Sequence, residues 1–120
     1  MQLLIFRHGI AEDDGPDGTD ASRRLTEEGV DKTKRGAVGL ASIVDRPDVV
    51  FTSPLVRAVQ TAQIVGQVFN RAPVVLEELA YGPPRAVIGR LREVEQEVVM
   101  IVGHEPTLSG IVRLLCSGRD

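Results

Sequence analysis

Val98-Val99-Met100-Ile101-Val102-Gly103-His104 decides the fold, because five apolar residues run without a break into a glycine and a histidine. A short, continuous apolar run of this kind is typical of a strand buried on both faces of a parallel sheet. Leu3-Leu4-Ile5-Phe6 repeats the pattern near the start of the chain and leads into Arg7-His8-Gly9. Residues 49–51 and 74–76 are two further, weaker strand candidates.

Helical segments separate these candidate strands. Thr26 has the character of a helix N-cap, followed by acidic residues that favour a first helical turn. Ser53-Pro54 predicts the next helix, with serine as the N-cap and proline at the first helical position. Two more helices are expected to open at Pro83-Pro84 and at Pro106. The order βαβαβαβα predicts an α/β fold with a mostly parallel sheet and helices on both faces.

The composition narrows the class of protein. The chain has 120 residues, which suits a single domain spanning 1–120, and 42% of them are hydrophobic. A net charge of -3 and an aromatic content of 3% speak against nucleic-acid binding. Two histidines and one cysteine cannot form a typical structural zinc site unless carboxylates join them. Neither a metal nor a cofactor is expected. Neither a signal peptide nor a membrane helix is apparent, which predicts a cytoplasmic protein without a membrane partner.

Both histidines of the chain follow predicted strands, where ligands bind in parallel α/β folds. Either one, taken alone, could be an ordinary half-buried residue. Together with Arg7 and Arg57, however, His8 and His104 form a coherent set for phosphate chemistry. Two guanidinium groups suit a dianion, a neutral imidazole can attack phosphorus, and a second imidazole can stabilise the transition state.

Four motifs resemble those of the histidine phosphatase superfamily, the phosphoglycerate-mutase-like branch. They are Arg7-His8-Gly9, Arg23-Arg24-Leu25-Thr26-Glu27-Glu28-Gly29, Ser53-Pro54-Leu55-Val56-Arg57-Ala58-Val59-Gln60-Thr61-Ala62 and Gly103-His104-Glu105-Pro106-Thr107-Leu108-Ser109. The second departs from the family pattern, since Arg24 stands where the family has proline. The last is similar to the motif of the SixA-type phosphohistidine phosphatases.

The resemblance implies a phosphoglycerate-mutase-like three-layer sandwich and a metal-independent phosphatase. His8 would be the nucleophile and would carry a covalent phosphoryl group, while Arg7, Arg57 and His104 would bind and stabilise it. Arg23 is either a further phosphate-binding residue or a loop residue in a surface ion pair. Glu78 stands where many members place a general acid, and a solvated surface charge is the alternative.

The spacing of the motifs leaves little room for a cap over the site. His104 lies only 47 positions after Arg57, so an open pocket is expected. This favours phosphohistidine on a protein, such as a phosphotransfer domain, as the substrate. A phosphatase of small phosphate esters and a non-catalytic phosphate-binding module are the alternatives. Family members usually run further, so the domain is expected to be a short version or to lack C-terminal strands, and either a monomer or a dimer.

Overall fold

Four parallel strands form the centre of the computed structural model, which describes residues 1–117. Their order in the sheet is β1-β4-β2-β3, with β1 at Gln2–Arg7, β2 at Val49–Thr52, β3 at Val74–Val75 and β4 at Val98–Gly103. Arg7 pairs with Gly103, and Thr52 pairs with Val102. The carboxyl ends of the three longer strands therefore lie side by side at one edge of the sheet.

Within residues 1–117, five helices and one short 3₁₀ turn surround this sheet. The 3₁₀ turn covers Asp20–Ser22, and the helices are α1 at Glu27–Ala41, α2 at Val56–Phe69, α3 at Glu78–Tyr81, α4 at Pro84–Leu91 and α5 at Thr107–Ser117. Thr26 caps α1 as expected, because its side chain accepts the N–H of Gly29. No helix within residues 1–117 is both long and apolar enough to cross a membrane.

Strand β4 divides the core into two layers. Val99 and Ile101 face a cluster built with residues of α3, α4 and α5, whereas Met100 and Val102 face a cluster built with α1 and α2. All four side chains are completely buried, and each such burial contributes about 1.5–3 kcal/mol. The predicted architecture, a parallel sheet with helices on both faces, is confirmed.

Ser53 does not cap a helix, so that prediction was wrong. Helix α2 begins at Val56, and Leu55 is its N-cap. The backbone stays extended through Ser53 because its N–H donates to Val102 at 3.0 Å, which continues the pairing of β2 with β4. The Ser53 hydroxyl instead accepts the N–H of Leu55 at 3.2 Å.

The segment between β3 and β4 also differs from the expectation. A single helix was expected there, but the short helix α3 precedes α4, which begins at Pro84 and ends at Leu91 rather than near Val94. The prediction about missing C-terminal strands concerns the chain after Ser117 and lies outside the described residues.

Candidate active site

His8 follows directly after β1, and its own backbone and ring are both held by hydrogen bonds. The His8 N–H donates to the carbonyl of Gly103 at 2.9 Å, which extends the pairing of β1 with β4. Ring atom Nδ1 lies 2.6 Å from the carbonyl oxygen of Gly9. Because a carbonyl can only accept, Nδ1 must carry the proton. The unprotonated lone pair of the neutral ring is therefore on Nε2.

His104 lies across from His8, because β1 and β4 are neighbours and both histidines follow a strand end. Their ring centroids are 6.0 Å apart, with an angle of 55° between the ring planes. The fully buried Ser53 places its hydroxyl 3.3 Å from Nε2 of His104. Ser53 is thus a site residue that sequence reasoning missed, because Ser-Pro is also a common helix start.

Arg57 extends from the first turn of α2, and its side chain is only 7% exposed. Its Nη1 donates to the backbone carbonyl of Asp20 at 2.9 Å, and its Nη2 donates to the Asp20 carboxylate at 3.1 Å. The remaining nitrogen, Nε, is buried and has no hydrogen-bond partner among residues 1–117. Buried donors without a partner are rare and call for an explanation, and a bound acceptor such as a phosphoryl oxygen would supply one.

Two further arginines lie near the histidines. Arg7 ends β1 and is exposed, whereas Arg23 belongs to the loop that leads to α1. Arg23 donates from Nε to the carbonyl of Glu12 at 2.6 Å and from Nη1 to the carboxylate of Asp20 at 2.9 Å. Arg23 is therefore tied to the same carboxylate that Arg57 binds.

Burial and the surrounding cations act together on the two imidazoles. Burial is the largest cause that lowers the pKa of His8, and Arg57, Arg7 and Arg23 lower it further. The hydrogen bond to the Gly9 carbonyl opposes these effects. The pKa of His104 is also lowered, first by burial and then by Arg57 and His8. Because the ordinary pKa of 6.5 is lowered for both rings, their neutral forms predominate at pH 7.

Thr61 connects the nucleophile loop to α2. Its fully buried hydroxyl donates to the carbonyl of Arg57 at 2.8 Å and accepts the N–H of Gly9 at 3.2 Å. Gly9 itself has no room for a side chain, since an added Cβ would lie 2.5 Å from Oγ1 of Thr33. The sequence placed Thr61 inside a motif but gave no sign of this contact, which joins residues 52 positions apart.

Glu78 begins α3 and lies beyond the end of β3. Its carboxylate is 3.6 Å from Nε of Arg90 on α4, in a partly exposed ion pair. The structure thus places Arg7, Arg23 and Arg57 within electrostatic reach of His8, and Arg57 and His8 within reach of His104. Glu78, in contrast, forms its ion pair with Arg90.

An open cavity of about 490 Å³ adjoins His8 on the side of α1. Its walls are Phe6, Arg7, His8, Gly9, Ile10, Ala11, Lys32 and Thr33. Within residues 1–117, no group of three or more histidine, cysteine, aspartate or glutamate side chains is placed to hold a metal ion.

Comparison with known proteins identifies the family. The family model described as histidine phosphatase superfamily (branch 1) matches residues 3–81. This chain belongs to that superfamily. The phosphohistidine phosphatase SixA of Escherichia coli is 32% identical over 124 residues, which cover 98% of this chain and 76% of SixA. The predictions of the family and of a phosphatase are confirmed.

Solved structures agree with this assignment. The structure of the protein histidine phosphatase SixA complexed with tungstate is similar, with a TM-score of 0.90 and 32% identity. The match covers 99% of this chain and 79% of that one. The alpha-ribazole phosphatase from Shigella flexneri has a TM-score of 0.79, covers 98% of this chain and 80% of its own, and shares the fold at 19% identity.

Proposed function

We propose that this protein hydrolyses phosphohistidine on a protein substrate, without a metal ion, through a covalent phosphohistidine on His8. The observation that carries the proposal is the pairing of two neutral imidazoles, 6.0 Å apart, beside a buried guanidinium with an unpartnered Nε. A neutral imidazole is a nucleophile, and a cluster of cationic donors stabilises a phosphoryl group during transfer.

His8 is the proposed nucleophile because its ring is fixed in the required tautomer. The Gly9 carbonyl holds the proton on Nδ1, so Nε2 has a free lone pair. In the first step a bond forms between Nε2 and phosphorus, and the bond from phosphorus to the substrate nitrogen breaks. The departing imidazole takes up a proton from solvent. In the second step water attacks phosphorus, and the electron pair of the broken phosphorus–nitrogen bond returns to Nε2. A proton of the attacking water passes to solvent, and inorganic phosphate leaves.

Arg7, Arg57 and His104 are the proposed phosphate-binding groups. Arg57 is nearly buried, so its interaction with an anion is less screened by solvent than that of a surface arginine. His104 faces the same space from the neighbouring strand and can donate a hydrogen bond to the transferring group. Arg23 is proposed as a fourth, outer contact because its charge acts on His8.

Phosphohistidine is the proposed substrate for two reasons. The similar protein from Escherichia coli is named a phosphohistidine phosphatase. In addition, the chain between Arg57 and His104 consists of α2, β3, α3, α4, β4 and the loops that join them, which leaves little chain to cover the site. An uncovered site gives small ligands few contacts and admits a side chain presented by another protein, such as a phosphotransfer domain. A phosphoramidate nitrogen is readily protonated, so this substrate depends less on a protein acid such as Glu78 than a phosphate ester does.

Phosphoryl trapping tests the proposal. The protein and its His8→Asn variant are mixed with a labelled phosphohistidine protein, quenched in base and analysed for bound label. We expect an acid-labile, base-stable label on the unmodified protein and none on the variant. An exposed substitution on α1, Arg35→Gln, serves as the matched control and should label normally.

Release of inorganic phosphate is measured in the same reactions. Release without trapped label means that the intermediate breaks down too quickly to accumulate, and rapid-quench sampling then replaces the single time point. Absence of both label and release would reject catalysis and leave a phosphate-binding module. A faster reaction with sugar phosphates than with phosphohistidine protein would reject the proposed substrate while retaining the enzyme.

A further inference from the structure

Asp20 occupies an unexpected place, since an acidic side chain lies at the edge of a site suited to anions. Its two carboxylate oxygens contact different arginines, Oδ1 at 2.9 Å from Nη1 of Arg23 and Oδ2 at 3.1 Å from Nη2 of Arg57. Its backbone carbonyl takes a second hydrogen bond from Arg57 at 2.9 Å. Part of the donor capacity of both guanidinium groups is therefore already used by a carboxylate of this chain.

The position of Asp20 is set by a hydrogen-bonded turn. The side chain of Thr19 accepts the N–H of Ser22 and caps the 3₁₀ turn that begins at Asp20. The carboxylate of Asp17 accepts from the Thr19 N–H at 2.9 Å and from the Thr19 hydroxyl at 2.6 Å, and it also accepts from the hydroxyl of Ser22. Asp20 itself is 65% exposed, so an incoming anion can reach the same donors from solvent.

We propose that Asp20 is a specificity-determining residue whose carboxylate competes with free oxyanions for Arg23 and Arg57. Inorganic phosphate and small phosphate esters have few contacts besides the arginines, so they bear the full repulsion of this charge. A phosphorylated protein offsets the same repulsion with contacts outside the site. This inference rests on the proposed function, because it gives the reason why that site would discriminate against small phosphates.

Binding of inorganic phosphate tests the inference without requiring turnover. Isothermal titration calorimetry compares the unmodified protein with the Asp20→Asn variant, which keeps the shape of the side chain and removes its charge. We expect the variant to bind phosphate about tenfold more tightly at low ionic strength, the order of magnitude for one partly screened charge near a dianion. The difference should shrink at high salt, where exposed charges are screened.

The control is Asp14→Asn, which changes the net charge equally and lies exposed in the same loop. The carboxylate that pairs with Arg23 and Arg57 is that of Asp20, which this control leaves in place. We expect no change in phosphate affinity for this variant, and near-normal affinity for Asp20→Glu. If Asp20→Asn does not unfold cooperatively, Asp20→Ser removes the same charge and takes its place. Unchanged or weaker phosphate binding in the charge-removing variant would overturn the inference and reduce Asp20 to a support for the arginines.

Kinetics add a second readout. In Asp20→Asn the KM for a small phosphoramidate should fall by a larger factor than the KM for a phosphohistidine protein. An equal change in both would contradict a role in discrimination. If the protein proves to have no phosphatase activity, the proposed function fails, yet the calorimetric comparison still decides whether Asp20 opposes anion binding.

Discussion

Replacing Thr61 by valine tests whether the nucleophile loop depends on its hydrogen bond to α2. Valine has nearly the shape of threonine, so the fully buried position should be filled without a cavity. The hydroxyl that accepts the Gly9 N–H at 3.2 Å is lost, and that donor is left without its partner. Leaving one buried donor unsatisfied costs about 1–3 kcal/mol. With an m-value of about 2 kcal/mol/M, the urea midpoint should fall by about 0.5–1.5 M.

The same change should reduce the rate. Gly9 provides the carbonyl that holds Nδ1 of His8 at 2.6 Å, so a shift of Gly9 also moves the proposed nucleophile. Misplacing a reacting group by about 1 Å can cost a factor of about 100. We therefore expect kcat of Thr61→Val to fall by about 10- to 100-fold, with a smaller change in KM. Urea denaturation and steady-state phosphate release measure the two effects on the same sample.

Thr61→Ser separates the hydroxyl from the methyl group. Serine keeps both hydrogen bonds and removes one buried methyl, which costs about 0.5–1.5 kcal/mol. This variant should lose about half as much stability as the valine variant and keep its kcat within a factor of about three. If kcat falls by the same factor in both variants, or if Thr61→Val keeps its full kcat, the hydrogen bond to Gly9 does not position His8. Either result would refute the reasoning.

Three other changes have defined outcomes. Arg57→Gln removes a charge that lowers the pKa of His8. The acidic limb of the plot of kcat/KM against pH should therefore move to higher pH, toward 6.5. An unchanged limb would contradict this electrostatic role. Glu78→Gln should leave phosphohistidine hydrolysis intact and abolish slow ester hydrolysis, and equal losses would reject a general acid. Gly29→Ala should lower stability by more than about 2 kcal/mol in denaturant titrations, because its Cβ would lie 2.2 Å from the carbonyl oxygen of Ile10, and a neutral effect would show that α1 can shift.

Strand ends could be predicted from the sequence because a buried strand requires a continuous run of apolar residues. The apolar runs before His8 and His104 are long enough to identify β1 and β4, and the two histidines are 96 residues apart in the chain. Their distance could not be predicted, since it depends on the strand order. Placing β4 between β1 and β2 brings His104 next to both His8 and Ser53.

Contacts between residues far apart in the chain could not be predicted, because no local sequence pattern indicates them. Ser53-Pro54 has the same local pattern as a helix start, but the Ser53 N–H donates to the Val102 carbonyl and continues the strand pairing. In the sequence, Asp20 is indistinguishable from the other acidic residues of its polar loop. Its ion pair with Arg57 joins residues that are 37 positions apart. A polar residue in a loop gains its role from whichever partner the fold brings near, so no pattern within the loop could indicate it.

The charges around the two histidines explain how the proposed site can keep His8 neutral before the substrate binds and favour a protonated His104 afterwards. Before substrate arrives, burial and Arg57 lower the pKa values of both rings, which leaves Nε2 of His8 available for attack. In the proposed mechanism a bound phosphoryl dianion offsets the positive charge of the arginines, so protonation of the second ring becomes more favourable than in the free site. His8 is then bonded to phosphorus, and His104 is the proposed imidazole that takes the proton. The negative charge of the substrate's phosphoryl group thus favours protonation of His104, and the resulting cation stabilises the phosphoryl group during transfer.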